Sequence, residues 1–308
     1  MNHSKFSLAD LITLLAAIAF GFICFLGTNF YTLGDTKLSI IITVVITVLL
    51  SGTALGVKWL KRTNSNFKTS FIWEMILLVL FTALTVFFTY SPFSHYFVVS
   101  EKKAEIQKKL TSSITQAENM FSEYEEYAET RKNLYQQQLR SAVINEKINP
   151  SIFADFGFQS NNNAFNQNRI EDIMRMVHAD LYPSNFKDMK TVDSTWLAKS
   201  KVIVKNWRPI GVVDVMKNVE QNSIKSKNEL VKFSAIREKS EEAINFEYAL
   251  QFENVKKHFT TLGNPTPISI GLAAVAYLLM LLSYLISKRS TKTTFGANKN
   301  NGEFDVKY

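Results

Sequence analysis

The stretch EKKAEIQKKLTSSITQAENMFSEYEEYAETRKNLYQQQLRSAVIN, residues 101–145, decides the fold. Its apolar residues recur at gaps of three and four, which places them on one face of a helix. A single helix of this length would be about 67 Å long at ~1.5 Å per residue. Such a helix needs a partner along its apolar face. That face comprises Ile106, Leu110, Ile114, Ala117, Met120, Phe121, Tyr124, Tyr127, Ala128, Leu134, Tyr135, Leu139, Ala142 and Val143.

A second helical pattern begins at Gly211 and supplies the expected partner. Its apolar positions run from Val215 to Phe259, and only the stretch 221–228 is poor in them. We therefore expect two long antiparallel helices that pack face to face. Tyr124 and Phe252 are the candidate contact residues on the two helices.

Four hydrophobic blocks flank this region, at about 11–33, 38–60, 71–91 and 265–287. Each approaches or exceeds the ~20 apolar residues that cross a bilayer as a helix. The first block lacks a small-residue cleavage site and reads as an uncleaved membrane helix. The predicted fold is therefore an all-α membrane protein: three transmembrane helices in 1–99, a large helical domain at 100–264, and a fourth transmembrane helix at 265–287.

Basic residues beside the blocks indicate the orientation. The loop between blocks two and three contains Lys58, Lys61, Arg62 and Lys68 with no acid, and the segment after block four begins with Lys288 and Arg289. By the positive-inside rule both segments are cytoplasmic. The N-terminus is then cytoplasmic too, and 288–308 is predicted to be a disordered basic cytoplasmic tail. Residues 100–264 would be periplasmic if the membrane is a bacterial inner membrane, which the composition favours.

The charge distribution argues against nucleic-acid binding. The whole chain has a net charge of +8, but residues 100–264 contribute only +2. The excess of basic residues therefore lies beside the hydrophobic blocks, and no basic stripe remains for a nucleic acid. Cys24 is the only cysteine, so the chain forms no internal disulfide.

Three features of the membrane blocks are candidate interaction sites. Gly52 and Gly56 form a small-xxx-small pattern that permits close helix approach within the chain or between subunits. Glu74 is the acid inside the third block, near its cytoplasmic end. It is predicted to lie at the interface, with an ion path or a salt bridge to a partner subunit as alternatives. Pro92 is expected to bend or end the third helix.

The domain between the blocks contains an aromatic-rich cap at 150–210. Aromatic residues form the cores of small domains, and they also dominate protein–protein contacts. Trp196 and Trp207 are the candidate contact residues there. Within the cap, residues 170–181 predict a short amphipathic helix, and KVIVK at 201–205 predicts a short β-like run.

No catalytic, cofactor or metal pattern is present in the sequence. We therefore expect a non-catalytic inner-membrane subunit without a cofactor. It would anchor or scaffold an envelope-spanning complex through its periplasmic domain, with other envelope proteins or further copies of itself as partners. A ligand-sensing receptor with a separate cytoplasmic partner, or an ion-conducting subunit, remains as the alternative.

The layout of several crossings around a large helical region resembles the accessory polytopic membrane subunits of bacterial secretion machines. The TssN-like component of one type VI secretion subtype is the nearest of these. The resemblance covers architecture only, so no residue roles are carried over from it. It implies a secretion system as the assembly that this chain joins.

Overall fold

The structure is a computed structural model that describes residues 7–62, 67–235, 244–246 and 252–289. Within these ranges every regular element is a helix. The chain divides into two compact units. The bundle unit comprises Met1–Glu105 and Lys256–Tyr308, and the middle unit comprises Ile106–Val255. All of the predicted tail except Lys288 and Arg289 lies outside the described residues.

The bundle unit contains helices that are mostly apolar around their whole circumference. Three helical stretches are long and apolar enough to cross a membrane: Leu8–Tyr31, Thr36–Arg62 and Thr69–Glu101. The prediction of a helical chain with membrane-length helices is thus confirmed at that level. The elements are α1 (Leu8–Tyr31), α2 (Thr36–Arg62), α3 (Phe67–Phe88), a π-helical turn (Thr89–Phe93), α4 (Ser94–Glu101), α11 (Pro267–Met280) and α12 (Leu282–Ile286).

The fourth predicted crossing corresponds to α11 and α12, which meet at Leu281. α11 has 14 residues and is shorter than a membrane span. The backbone amide of Leu285 donates to the Leu281 carbonyl at 2.9 Å, so the helical path resumes at once after the break. The count of four transmembrane helices stays a prediction.

The core of the bundle unit is formed by side chains from all of its long helices. The rings of Phe20 on α1 and Phe93 in the π-helical turn stack with centroids 4.4 Å apart. Cys24 is fully buried in the same core. Large apolar side chains such as Ile41, Val79 and Phe87 point outward and are exposed. This combination of apolar inside and apolar outside is typical of a bundle that lipid surrounds.

The middle unit is built from helices of very different length. Its elements are α5 (Lys103–Ile144), α6 (Pro150–Asp155), α7 (Asn163–Leu181), α8 (Phe186–Asn206), α9 (Pro209–Ala235) and α10 (Phe252–Thr260), of which α10 crosses into the bundle unit. α5 is one helix of 42 residues, and its buried side chains follow the predicted apolar face from Ile106 to Ala142. On that face Tyr127, Tyr135 and Val143 are only half-buried, and Leu134 is exposed.

The returning helix is described in two pieces, α9 and α10. Residues 236–243 and 247–251, where the predicted helix would continue, lie outside the described residues. α9 runs unbroken through 221–228, where Ser223 and Ser226 replace apolar residues on its buried face. The rings of Tyr124 on α5 and Phe233 on α9 have centroids 6.3 Å apart, so the two helices touch at that level. Their antiparallel pairing along the whole length stays a prediction.

The β-like run predicted at residues 201–205 is wrong, because these residues lie in α8. Leu197, Ser200 and Val204 are buried on one side of the helix. Their gaps of three and four are helical, and Val202 between them is exposed. Burial at helical spacing thus outweighs the β-propensity of a short run of branched residues.

Candidate functional site

Among the described residues of the bundle unit, the buried carboxylates and the buried lysine lie at one end, where α1 begins and α2 ends. Asp10 on α1 is buried and forms an ion pair with Lys58 on α2. The hydroxyl of Ser283 on α12 also donates to this carboxylate. Ser7 donates to it from its backbone amide at 2.7 Å and from its hydroxyl at 2.8 Å. One carboxylate therefore links α1, α2 and α12.

A second buried acid lies at the start of α3. Glu74 is 1% exposed, and both of its oxygens accept hydrogen bonds from the Arg289 guanidinium, at 2.7 and 2.8 Å. The hydroxyl of Tyr284 on α12 donates to the same carboxylate at 2.9 Å. The structure therefore pairs Glu74 with a cation of its own chain, a partner that the sequence analysis did not weigh.

Lys61 on α2 connects the group of residues around Asp10 with the group around Glu74. Its ammonium donates to the Tyr284 carbonyl at 3.0 Å and lies 4.3 Å from the centre of the Tyr284 ring. Lys61 follows Lys58 by one helical turn, and Tyr284 follows Ser283 directly. We call this set the charge network. It consists of Ser7, Asp10, Lys58, Lys61, Glu74, Ser283, Tyr284 and Arg289.

The charge network satisfies the physical requirement that a buried charge be paired and hydrogen-bonded. Each of its two carboxylates is engaged by a cation and by at least one hydroxyl. A carboxylate held in this way is suited to fixing helices together. It is poorly suited to passing ions, because its oxygens are already bonded to a cation and a hydroxyl of the same chain.

The opposite end of the bundle unit is held by close backbone approach. Gly27 on α1 lies against the π-helical turn, and a Cβ at Gly27 would lie 1.9 Å from the carbonyl oxygen of Pro92. The regular α-helix ends at Phe88, and the π-helical turn carries Pro92 before α4 begins. Near the fourth segment, a Cβ at Gly263 would lie 2.9 Å from Val98.

The predicted glycine pair on α2 has two different environments. A Cβ at Gly56 would lie 3.4 Å from Leu77 on α3, which is an ordinary contact within the bundle. A Cβ at Gly52 would meet nothing within 4 Å. Gly52 therefore lies on the outer face of α2, where another helix or lipid can reach it.

The candidate residues of the middle unit are mostly part of its core. Tyr124 is fully buried, and its hydroxyl donates to the Leu181 carbonyl at 2.6 Å. Burial raises the pKa of Tyr124 well above its usual value, with smaller contributions from neighbouring tyrosines. Phe252 and Trp207 are buried as well. Trp196 is half-buried and donates from its indole to Asp193 at 2.8 Å.

An exposed apolar patch lies around the C-terminal end of α5. Ile144 is 81% exposed and Ile148 is 74% exposed, and Leu134 and Ile152 are exposed nearby. A groove of about 500 Å³ adjoins them, lined by Leu134, Ile152 and uncharged polar side chains such as Ser141. We call the four exposed residues Leu134, Ile144, Ile148 and Ile152 the α5 patch. An apolar patch of this kind is typical of a protein–protein contact.

Among residues 7–62, 67–235, 244–246 and 252–289, no group of three or more His, Cys, Asp or Glu side chains is placed to hold a metal ion. Comparison of the chain with protein-family models, with curated proteins and with solved structures finds no match. Function is therefore inferred from the sequence and from the geometry of the described residues.

The sequence analysis did not identify Asp10, Lys58 or Arg289 as members of a site. One local signal was available, since Ser7 and Asp10 have the spacing of a helix cap before an apolar run. The distant partners gave no such signal, because Lys58 lies 48 residues from Asp10 and Arg289 lies 215 residues from Glu74.

Proposed function

We propose that the chain is a non-catalytic polytopic subunit of a bacterial inner membrane that anchors or scaffolds an envelope-spanning complex. A secretion system is the proposed assembly, on the grounds of layout. In this proposal residues 100–264 are periplasmic and engage other envelope proteins. The bundle unit holds that domain in the membrane.

The charge network supports the proposed topology. It brings together the start of α1, the end of α2, Glu74 in the first half of α3, Ser283 on α12 and Arg289, which lies three residues after α12. The other end of the bundle unit contains the end of α1, the π-helical turn and Gly263, which precedes α11. The fourth segment thus connects the same two ends of the bundle unit as α1, and this favours four crossings with both termini on one side.

The α5 patch is the observation that carries the scaffold role. Side chains as exposed as Ile144 and Ile148 are costly to leave in water, and a partner protein would cover them. The middle unit also comprises 150 residues, from Ile106 to Val255. A unit of this size offers a larger surface than a protein needs in order only to anchor itself. Both features fit a subunit that docks on neighbours.

The test is affinity purification from intact membranes in mild detergent, with a tag after Tyr308 and partner identification by mass spectrometry. The matched variants are Ile144→Asp with Ile148→Asp in the patch, and Val202→Asp on the exposed side of α8. We expect the natural chain and Val202→Asp to recover the same envelope proteins, and the patch variant to lose at least one of them. Recovery of the protein alone from natural membranes would contradict the proposal.

The two alternatives receive different support. The ion-conducting role is weaker, because the Glu74 carboxylate is held by Arg289 and Tyr284. The ligand-sensing role is favoured by one specific observation, a cavity beside a buried histidine in the bundle unit. Recovery of a cytoplasmic kinase or regulator in the purification would favour that role over the scaffold.

A further inference from the structure

The bundle unit contains a cavity of about 300 Å³ beside the π-helical turn. This volume lies at the lower end of the range of small-molecule sites. Its walls are mainly apolar, with a few hydroxyls and a single imidazole. The lining includes Tyr31, Ile42, Phe87, Pro92, His95 and Leu262.

His95 on α4 is the unusual member of this lining. It is 2% exposed, and its Nε2 lies 2.6 Å from the carbonyl oxygen of Phe259. Because a carbonyl oxygen only accepts hydrogen bonds, Nε2 must carry the hydrogen. In the neutral ring Nδ1 is then a hydrogen-bond acceptor. Nδ1 is buried, and no group in the part of the chain that the structure describes bonds to it.

An unpaired buried acceptor is costly, because it gives up its hydrogen bonds to water and gains none in exchange. A phenylalanine at this position would pack among the surrounding apolar side chains without that cost. The ring of Tyr31 stands edge-on to the imidazole with centroids 5.9 Å apart, and Tyr31 itself is exposed. Tyr31 and His95 thus form adjoining parts of the cavity wall.

The π-helical turn is a second observation at the same place. Turns of this type inside α-helices are frequent at functional sites. Here Ser91 and Pro92 of the turn line the cavity directly, and His95 follows on α4. The turn thus shapes one wall of the cavity and sets the position of the histidine.

We propose that this cavity binds a neutral amphipathic molecule from the bilayer, with an apolar body and one hydroxyl that donates to His95 Nδ1. The apolar walls favour a ligand with an apolar body, and the Nδ1 acceptor favours a ligand that carries a hydroxyl donor. None of the described residues that line the cavity is Lys or Arg, so a carboxylate or phosphate group would lie there without a cation. An apolar molecule without a hydroxyl would leave Nδ1 unpaired.

The test uses the full-length protein in lipid nanodiscs with two probes, 4-propylphenol and propylbenzene. Binding is measured by saturation-transfer NMR, with empty nanodiscs as the correction for partition into lipid. We expect the phenol to bind about tenfold more tightly than propylbenzene, because the phenol alone satisfies the acceptor. His95→Phe should remove that difference, and His178→Phe, a histidine of the middle unit, should keep it.

A second variant keeps the test valid if His95→Phe does not fold. Leu262→Trp fills the mouth of the cavity without changing the histidine, and we expect it to abolish saturable binding of both probes. In ¹⁵N-histidine spectra of the natural chain, 4-propylphenol should shift the Nδ1 resonance of His95. Equal affinity for the two probes, an unmoved Nδ1 resonance, or unchanged binding in Leu262→Trp would overturn the proposal.

Discussion

The two units of the molecule hold their helices together in different ways. In the bundle unit, charged side chains are buried and paired across helices, as in Asp10 with Lys58. In the middle unit, the ion pairs between helices are partly exposed. Lys190 and Glu125 lie 2.5 Å apart with side chains 39% and 38% exposed, and Lys201 pairs with Glu118 in a similar setting.

This difference indicates in which unit the stability depends on individual charged side chains. A charge pair in water contributes little, because water screens it and the long side chains lose freedom. A buried pair contributes little as a whole, but removal of one partner is severe, because the other charge is left without compensation. The bundle unit should therefore be sensitive to single charge substitutions, and the middle unit should be sensitive to loss of apolar and hydroxyl contacts.

The largest effect is expected from Lys58→Met, which leaves Asp10 buried without its cation. We expect a loss of about 3–5 kcal/mol of stability, the range for a broken buried pair. The measurement is the midpoint of thermal unfolding of the purified protein in detergent. The double variant Asp10→Asn with Lys58→Met is the control, and it should recover most of the loss. A single variant as stable as the natural chain would show that the pair is not buried.

The next-largest loss of stability is expected from Gly27→Ala, which places a methyl group against the Pro92 carbonyl. Overpacking of this kind costs about 1–3 kcal/mol. Gly52→Ala is the matched control on the same bundle, because its new methyl group meets no neighbour. It should leave the melting temperature unchanged or raise it slightly, since Ala favours a helix over Gly. Equal effects of the two variants would contradict the close approach of α1 to the π-helical turn.

In the middle unit, Tyr124→Phe removes the hydroxyl that donates to Leu181 but keeps the ring. The Leu181 carbonyl then loses a buried partner, and we expect a loss of about 1–2 kcal/mol. Tyr124→Asp should be far more damaging, because it buries a charge among aromatic rings. Urea unfolding followed by near-ultraviolet circular dichroism measures both. If the aspartate variant keeps the natural midpoint, α5 does not pack through this residue.

The smallest effect is expected from Lys190→Ala, which breaks the exposed pair with Glu125. Pairs of this type contribute about 0–1 kcal/mol, and added salt should shrink the effect further. The same urea titration at low and high salt provides the measurement. A loss comparable to that of Lys58→Met would remove the distinction between the two units.

The parts of the fold that follow from periodicity could be predicted from the sequence. The apolar face of α5 repeats at helical spacing over 42 residues, and membrane-length helices are marked by their composition. KVIVK was misread, because five residues are too few to separate strand from helix. The bends inside residues 89–93 and at Leu281 also had no clear signal, apart from Pro92.

The site could be predicted only in part, because its contacts join distant residues. Glu74 stood out as an acid in an apolar block, but Arg289 is one of many basic residues after the fourth segment. His95 is a lone histidine in its stretch of sequence and gives no signal of its own. Its environment depends on Phe259, which lies 164 residues away. A single sequence carries no trace of such pairs, whereas helical spacing is visible in one chain.

The most direct test of the central claim is a measurement of topology with single cysteines. Cys24 is buried and serves as the silent background. Val202→Cys on the exposed side of α8 and Asn298→Cys beyond the fourth segment are treated in turn with a membrane-impermeant maleimide. We predict that intact spheroplasts label only Val202→Cys and that permeabilised ones label both. Labelling of both, or of Asn298→Cys alone, in intact spheroplasts would contradict four crossings with a periplasmic middle unit.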